Sequence, residues 1–308
     1  MLADIKYTDE LPVDIQICKV EYHPIHHHGD IQIIYVLEGE VDLKLSFSTY
    51  KLKRSDLHFI HKNDLHGIMN ASEDNLVLVL SLKIDAFKGE FPDLHSQIFT
   101  TKVNNNVVTY QRKLQLQNSI LILTQEIFKK DYDLHTIYEV SKDLINSLYN
   151  NFRGYKLNRK TRSFEHMIPY DPIQVDRISR VVDYLYENYS YKISLEDISR
   201  NVHISKYYLS HLFKQLTGES FRDFLGMVRV EMAEHNILNT DNSISNISSE
   251  CGFSKVSYFN SHFNTWYSLT PDQYRQKYKK HSIAVSVPRY QRITYEEIDK
   301  YIESIFNN

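Results

Sequence analysis

A structural unit that occurs twice between residues 194 and 275 constrains the fold of this chain more than any other feature. The first copy reads SLEDISRNVHISKYYLSHLFKQLTGESFRDF, and the second reads SISNISSECGFSKVSYFNSHFNTWYSLTPDQY. The copies match at an offset of 49 residues up to Ser205/Ser254 and of 50 residues at Phe213/Phe263, so the second copy carries one extra residue near its turn. Each copy predicts a short apolar helix, a turn and a second helix with a polar outer face, which is the layout of a helix-turn-helix.

The turns and helix starts within the two copies follow from residue type. Ser194 and Ser205 are predicted N-caps in the first copy, because a short hydroxyl side chain accepts a hydrogen bond from a free amide of the first turn. In the second copy Ser254 is the predicted cap. Gly252 is expected to supply the positive φ of a tight corner, a position that His203 occupies in the first copy.

The outer faces of the two second helices carry the candidate nucleic-acid contacts. In a helix-turn-helix the second helix enters the DNA major groove, so its exposed side chains meet bases and phosphates. The predicted contacts with double-stranded DNA are Lys206, Tyr207, Tyr208, Ser210, His211 and Lys214 in the first copy and Lys255, Val256, Ser257, Asn260 and Ser261 in the second.

This region resembles the DNA-binding domain of the AraC/XylS family of bacterial transcription regulators, in which a long helix joins two helix-turn-helix units. The matching pieces are YLSHLFKQLTGESFRDFL, MVRVEMAEHNILNT, ISSECGFSKVSYFNSHF and LTPDQYR. The resemblance implies base contacts from Tyr207, Ser210, His211, Val256, Ser257 and Ser261. It also implies an activator that acts as a homodimer and contacts RNA polymerase. Asn264 stands where the family usually has Lys, and Ser268 stands where it usually has Gly.

Charge alone does not indicate a nucleic-acid partner. The chain has 36 Lys+Arg and 39 Asp+Glu, and between Lys192 and Lys280 there are 11 basic side chains against 9 acidic ones. This near balance predicts modest non-specific affinity for DNA and a shallow salt dependence. The two cysteines are far apart in the sequence, and neither a signal-peptide pattern nor a membrane-length apolar run is present, so a cytoplasmic protein is expected.

The first hundred residues predict a small β-barrel. IQIIYVLEG, EVDLKLSFST, DLHFIHK and NLVLVLSLK are short, β-branched or aliphatic segments separated by corners. His26, His28 and Gln32, followed later by His66, resemble the two cupin motifs, in which two His, a Glu and a third His bind a metal inside the barrel. Gln32 takes the position of the Glu.

Three interpretations of this constellation stay open, namely metal binding, effector contact and plain packing inside the barrel. Three imidazoles can hold Zn, Fe or Ni, but a neutral amide is a poor replacement for a carboxylate. We therefore predict no metal or other cofactor, and effector contact by His26, His28, Gln32, Tyr35 and His66. A carbohydrate is the expected effector, because many regulators of this type sense sugars. His27, out of phase with its neighbours, is expected at the surface. The alternative is a metal-dependent cupin enzyme fused to a DNA-binding domain, with His26, His28 and His66 as ligands.

The fold class predicted is α+β with two domains, a cupin-like barrel plus helices followed by an all-α double helix-turn-helix. The barrel is assigned to 1–105, a helical dimerisation segment to 106–153, a basic linker to 154–171, the DNA-binding domain to 172–282 and a helical extension to 283–308. The family resemblance implies that one helix of 106–153 forms the dimer contact. No catalytic residues are predicted.

Overall fold

The computed structural model describes residues 11–45, 48–62, 64, 66–100, 107–158, 163–166, 171–279 and 289–292. An antiparallel β-structure comes first, a pair of helices follows, and seven further helices occupy the C-terminal part of the described residues. The predicted fold class is therefore confirmed. Among the described residues, no helix combines the length and the apolar character needed to cross a lipid bilayer.

The β-structure consists of two sheets that share one long strand. The strands are β1 (Val13–His26), β2 (Ile31–Glu38), β3 (Glu40–Leu45), β4 (Ser48–Lys53), β5 (Leu57–Ile60), β6 (His66–Ala71) and β7 (Leu76–Leu82). They follow the order β4-β3-β6-β1-β7-β2-β5. The first part of β1 pairs with β7, and its last part pairs with β6. Because β1 turns from one sheet into the other, the end of β1 and the start of β6 lie side by side.

Two apolar clusters form on opposite faces of the sheet that contains β2. The alternating side chains of a strand point to opposite faces. Ile34 and Val36 therefore pack between the sheets with Leu43 and Ile68, whereas Ile33 and Tyr35 pack on the outer face. The outer face is covered by α1 (Val107–Ile127) and α2 (Leu134–Asn151).

The segment between the barrel helices and the C-terminal helices contains a β-hairpin, which was not expected from its polar, basic sequence. Strands β8 (Tyr155–Asn158) and β9 (Ser163–His166) pair antiparallel. The basic residues Arg159, Lys160 and Arg162 lie outside the described residues.

The C-terminal helices are α3 (Pro172–Asn188), α4 (Leu195–Asn201), α5 (Lys206–Thr217), α6 (Phe221–Asn239), α7 (Ile244–Glu250), α8 (Val256–Tyr267) and α9 (Pro271–Lys279). Helices α4 and α5 form one helix-turn-helix, α7 and α8 form the other, and α6 joins them. Asp171 caps α3 and Pro172 is its first residue, as predicted.

The turns of the two units differ by the single residue that the sequence offset indicates. Ser205 caps α5 by accepting from the amide of Tyr208, whereas α8 begins one residue later and has Lys255 at its N-cap without a side-chain hydrogen bond. The prediction that Ser254 caps α8 is wrong, because the extra residue moves the helix start past it. His203 and Gly252 occupy the same position in the two turns, with φ values of 54° and 81°.

Two buried glutamates on α6 fasten this helix to its neighbours. Glu231 accepts a 2.6 Å hydrogen bond from the hydroxyl of Tyr186 on α3. Glu234 accepts hydrogen bonds from the hydroxyls of Tyr267 on α8 and Tyr274 on α9. Burial raises the pKa of Glu231 to about 7. Helix α6 is therefore fixed through polar groups as well as apolar ones.

The chain returns to the barrel after the C-terminal helices. Residues Arg289–Arg292 form strand β10, which pairs antiparallel with Cys18–Tyr22 of β1. The predicted helical extension is wrong for these four residues. The amphipathic sequence ITYEEIDKYIESIF lies outside the described residues.

Candidate nucleic-acid interface and histidine cluster

Helix α5 presents the outer face that the sequence predicts. Its inner side chains Leu209, Leu212 and Phe213 are buried. The predicted contacts on this helix are all exposed, and they are Lys206, Tyr207, Tyr208, Ser210, His211 and Lys214. The face therefore offers two aromatic rings, an imidazole and two ammonium groups to a partner.

The two adjacent tyrosines of α5 differ in their exposure and in their hydrogen bonding. Tyr207 is 84% exposed, while Tyr208 is 39% exposed and its hydroxyl accepts a 2.6 Å hydrogen bond from Gln174 of α3. Lys206 lies 3.4 Å from a carboxylate oxygen of Glu196, an exposed ion pair that a phosphate can displace at little cost. Tyr207 is thus the most accessible aromatic side chain of the first unit.

Helix α8 presents a less basic face. Lys255, Ser257, Asn260 and Ser261 are exposed, and Val256 is half-buried. Tyr258, which the sequence interpretation missed, is 55% exposed, and the Lys255 ammonium lies 5.9 Å from its ring centroid. Its position 50 residues after Tyr208 is the signal that would have identified it.

Three of the predicted effector-site residues form a buried histidine cluster. His26 at the end of β1 is paired in register with His66 at the start of β6. Their ring centroids are 4.2 Å apart, and the His28 ring lies 4.8 Å from that of His66. Each of the three residues offers one ring nitrogen to a group whose members all lie within 4.8 Å of one another. We call His26, His28 and His66 the histidine cluster.

Backbone contacts fix the tautomers of two of these rings. Nδ1 of His28 lies 3.0 Å from the carbonyl oxygen of Asp30, and Nδ1 of His66 lies 2.9 Å from that of Asp64. A carbonyl only accepts, so each Nδ1 carries the hydrogen and each Nε2 carries a lone pair. Among the described residues both Nε2 atoms are buried without a hydrogen-bond partner. A buried polar atom left unpaired costs about 1–3 kcal/mol.

The cluster fits a metal ion by its donors and departs from the cupin pattern by its charge. Burial lowers the pKa of His28 and takes that of His66 well below its usual value, so burial favours the neutral form of these two imidazoles. Neutral imidazoles whose other nitrogen donates to a carbonyl are arranged as in protein metal sites. Within the described residues the group contains no carboxylate. Gln32 instead donates a 3.1 Å hydrogen bond to Ser81.

His27 is not at the surface, contrary to the sequence prediction. It is 1% exposed, and its ring centroid lies 4.1 Å from that of Tyr186 on α3. Neither ring nitrogen has a hydrogen-bond partner among the described residues. Burial lowers its pKa to about 3. The prediction failed because the surface opposite the histidine cluster is covered by the C-terminal helices rather than by solvent.

Tyr35 is separated from the other predicted effector contacts. It lies on β2 three residues after Gln32 and therefore on the opposite face of the strand, where it packs in the outer cluster with Ile33 and Leu57. The structure therefore does not bring Tyr35 together with Gln32 and the histidines, and the period of two along a strand would have indicated this separation.

Other side chains of the barrel also contact the C-terminal helices. The Lys44 ammonium lies 5.5 Å from the ring centroid of Trp266 on α8, and Met69 packs against the core of the helices. A cleft of about 130 Å³ lies between residues 61, 62, 64 and 95–98 on the barrel side and helices α3 and α5. The barrel thus contacts parts of both helix-turn-helix units.

Comparison with known proteins places these two parts in families. Residues 198–277 match a helix-turn-helix domain family, and residues 18–82 match a cupin domain family. The chain is similar to an uncharacterized HTH-type transcriptional regulator of Staphylococcus aureus (strain COL), with 23% identity over 80% of this chain and 31% of that protein. It is 28% identical to the regulatory protein PocR of Salmonella typhimurium over 56% of this chain and 51% of that protein.

Among solved structures, ToxT from Vibrio cholerae is similar with 16% identity and a TM-score of 0.48, over 86% of this chain and 97% of that one. The chain spans about a third of the length of the staphylococcal regulators that it matches and about half of PocR. The chain thus combines an AraC-type helix-turn-helix domain with a cupin domain, and it is similar to HTH-type transcription regulators.

Proposed function

We propose that this protein is a sequence-specific DNA-binding transcription regulator controlled by a small effector that binds in the N-terminal barrel. The observation that carries the proposal is the presence of two helix-turn-helix units whose second helices, α5 and α8, expose the residues that would meet DNA. The first unit provides Tyr207, His211 and two lysines, so we expect it to contribute most of the specificity.

We place effector binding at the histidine cluster and Gln32. These side chains are polar and buried, and they converge on one end of the barrel. A carbohydrate remains the effector class that family resemblance favours. Activation of transcription, with RNA polymerase as a partner, is proposed on the same ground.

We further propose that the protein acts as a homodimer through α1. Tyr110, Leu114 and Ile122 are exposed apolar residues of this helix, and at about 100° per residue they spread over about 120° of its surface, which we call the outer stripe. The buried residues of α1 pack on the barrel and on α2. A second copy of the chain is the occupant proposed for the outer stripe.

Selection of bound sites from random double-stranded DNA tests the function. We expect a defined sequence to be enriched by the full chain. Replacement of Tyr207 or His211 by Ala should weaken binding to that sequence by about 1–3 kcal/mol, with a smaller effect on unrelated DNA. Tyr191→Ala, at an exposed tyrosine outside both second helices, is the matched control. Equal loss of affinity for all DNA would contradict base contacts at these positions.

The metal-dependent enzyme is the second candidate, and the convergent imidazoles of the histidine cluster favour it. Catalytic turnover distinguishes such an enzyme from a regulator. An enzyme would consume a substrate in a reaction abolished by His66→Ala, whereas a regulator would show ligand-dependent DNA binding without substrate consumption.

A further inference from the structure

We propose that His27 transmits occupancy of the histidine cluster to the DNA-binding helices, so that a divalent first-row transition-metal ion held by His26, His28 and His66 changes DNA affinity. This inference rests on the proposed function, but it replaces the carbohydrate by a metal ion as the ligand of the histidine cluster, and it names the route by which that ion acts.

The ligands are oriented before an ion arrives. The Nδ1–H groups of His28 and His66 donate to backbone carbonyls, which leaves lone pairs on two buried Nε2 atoms that have no hydrogen-bond partner among the described residues. Each of the three imidazoles offers one ring nitrogen to a group whose atoms lie within 4.8 Å of one another. An ion would give both Nε2 atoms the partner that they lack among the described residues.

The donor type selects the class of ion. Imidazole nitrogens suit Zn, Fe, Co, Ni and Cu, whereas Mg²⁺ and Ca²⁺ require oxygen ligands. Within the described residues the group has no carboxylate ligand, so binding of M²⁺ adds positive charge to a buried site whose nearby carboxylates, Asp30 and Asp64, are not ligands. This charge makes occupancy a large local perturbation, which suits a sensor.

The connection to the helices is short and direct. His27 lies between two cluster members in sequence, and its buried ring packs against Tyr186, whose hydroxyl donates to Glu231 on α6. Helix α6 joins the two helix-turn-helix units. Coordination that draws His26 and His28 together must move the backbone of His27 between them, and the movement reaches α3 and α6 through one ring contact and one hydrogen bond.

The test uses tag-free full-length protein, freed of metal with a chelator and then supplied with Zn²⁺ or Co²⁺. We expect one ion per chain by elemental analysis, a visible Co²⁺ absorption spectrum typical of nitrogen ligands, and loss of both in His66→Ala. On the DNA sequence that the protein itself selects, the ion should change affinity by about fivefold or more. His135→Ala, at an exposed histidine of α2, should behave as wild type.

Two variants at one position separate transmission from binding. His27→Ala should still bind one ion but respond by less than about twofold in DNA affinity, whereas His27→Phe, which keeps a ring against Tyr186, should retain the response. Tyr186→Phe, which keeps the ring and removes the hydroxyl bound to Glu231, should weaken the response and serves if His27→Ala does not fold.

Each contrary result overturns a defined part of the proposal. Failure to bind an ion stoichiometrically refutes the ligand class, and an undiminished response in both His27→Ala and Tyr186→Phe refutes the route. An ion that binds without changing the affinity of wild type for its selected DNA also overturns the inference. Failure to select any DNA sequence, with the ion bound normally, would instead count against the proposed function.

Discussion

Gly252 in the turn of the second helix-turn-helix unit should not tolerate a side chain, and the structure allows the cost of Gly252→Ala to be worked out. The residue has φ of 81°, a conformation that costs an alanine about 1–2 kcal/mol. A Cβ atom there would lie 2.7 Å from the carbonyl oxygens of both Tyr189 and Ser190. Those carbonyls belong to the backbone that follows α3, so relief requires movement of the main chain.

The movement is opposed by Arg229 on α6. Its guanidinium donates a 2.8 Å hydrogen bond to the carbonyl of Tyr189 and a 2.9 Å hydrogen bond to that of Tyr191. Overpacking of this kind costs about 1–3 kcal/mol. Together with the backbone strain, the expected loss is about 3 kcal/mol in the free energy of unfolding of the helical part.

Thermal and urea unfolding of Gly252→Ala and His203→Ala provide the comparison. His203 occupies the equivalent turn position, is exposed and already has a side chain at φ of 54°, so His203→Ala should change stability by less than about 0.5 kcal/mol. For a domain of about 100 residues, Gly252→Ala should lower Tm by about 10 °C or more. A difference between the two variants of less than about 1 kcal/mol would refute this account of the turn.

Three further perturbations test other parts of the structure. Burial raises the pKa of Glu231 from 4.5 to about 7, so between these pH values the carboxyl keeps its proton in the folded protein and loses it on unfolding. The free energy of unfolding should therefore fall by about 3 kcal/mol as pH rises from about 4.5 to 7, and Glu231→Gln should remove this fall. Urea titrations at several pH values measure it, and an unchanged pH profile in Glu231→Gln would contradict the assignment. Ser268→Gly should raise the free energy of unfolding by about 0.5–1 kcal/mol, because Ser268 ends α8 with φ of 55°, a conformation that glycine adopts more easily. A lower Tm in this variant would show that the serine side chain has another role. Asn75→Ala should lower the free energy of unfolding by about 2–4 kcal/mol, because the buried Asn75 amide pairs with both the N–H and the carbonyl of Val20. A loss below about 0.5 kcal/mol in chemical unfolding would mean that other groups replace these hydrogen bonds.

The helical half could be predicted well because its signals are local. The cap at Ser205, the positive φ at Gly252 and the burial of Phe213 each depend on residues a few positions away. The sequence does not show at which position of the turn the extra residue lies, because an insertion of one residue fits anywhere in the turn. The cap of α8 was therefore assigned to Ser254 instead of to Lys255.

The histidine cluster was visible in the sequence, but its surroundings were not. From their spacing in the sequence, His26, His28 and His66 were expected to lie close together, and the structure brings them together. The burial of His27 depends on α3, which is about 160 residues further along the chain, and no local pattern reports such a contact. The hairpin of β8 and β9 was missed because its sequence is polar and lacks the alternation of a half-buried strand.

The return of the chain to β1 through β10 gives the DNA-reading helices two tethers instead of one. From Lys279 at the end of α9 to Arg289 at the start of β10 the chain can span at most about 35 Å, and α3 is joined to the barrel by the segment that precedes it. A part held at both ends cannot swing freely, so its accessible motions are small rotations and sliding displacements against the barrel. The tether also keeps the histidine end of β1 at a high effective concentration beside its helical partner. Cutting the chain between residues 280 and 288 would leave the helices joined to the barrel only through the segment before α3, and the pairing of β10 with β1 would become a bimolecular contact that depends on concentration.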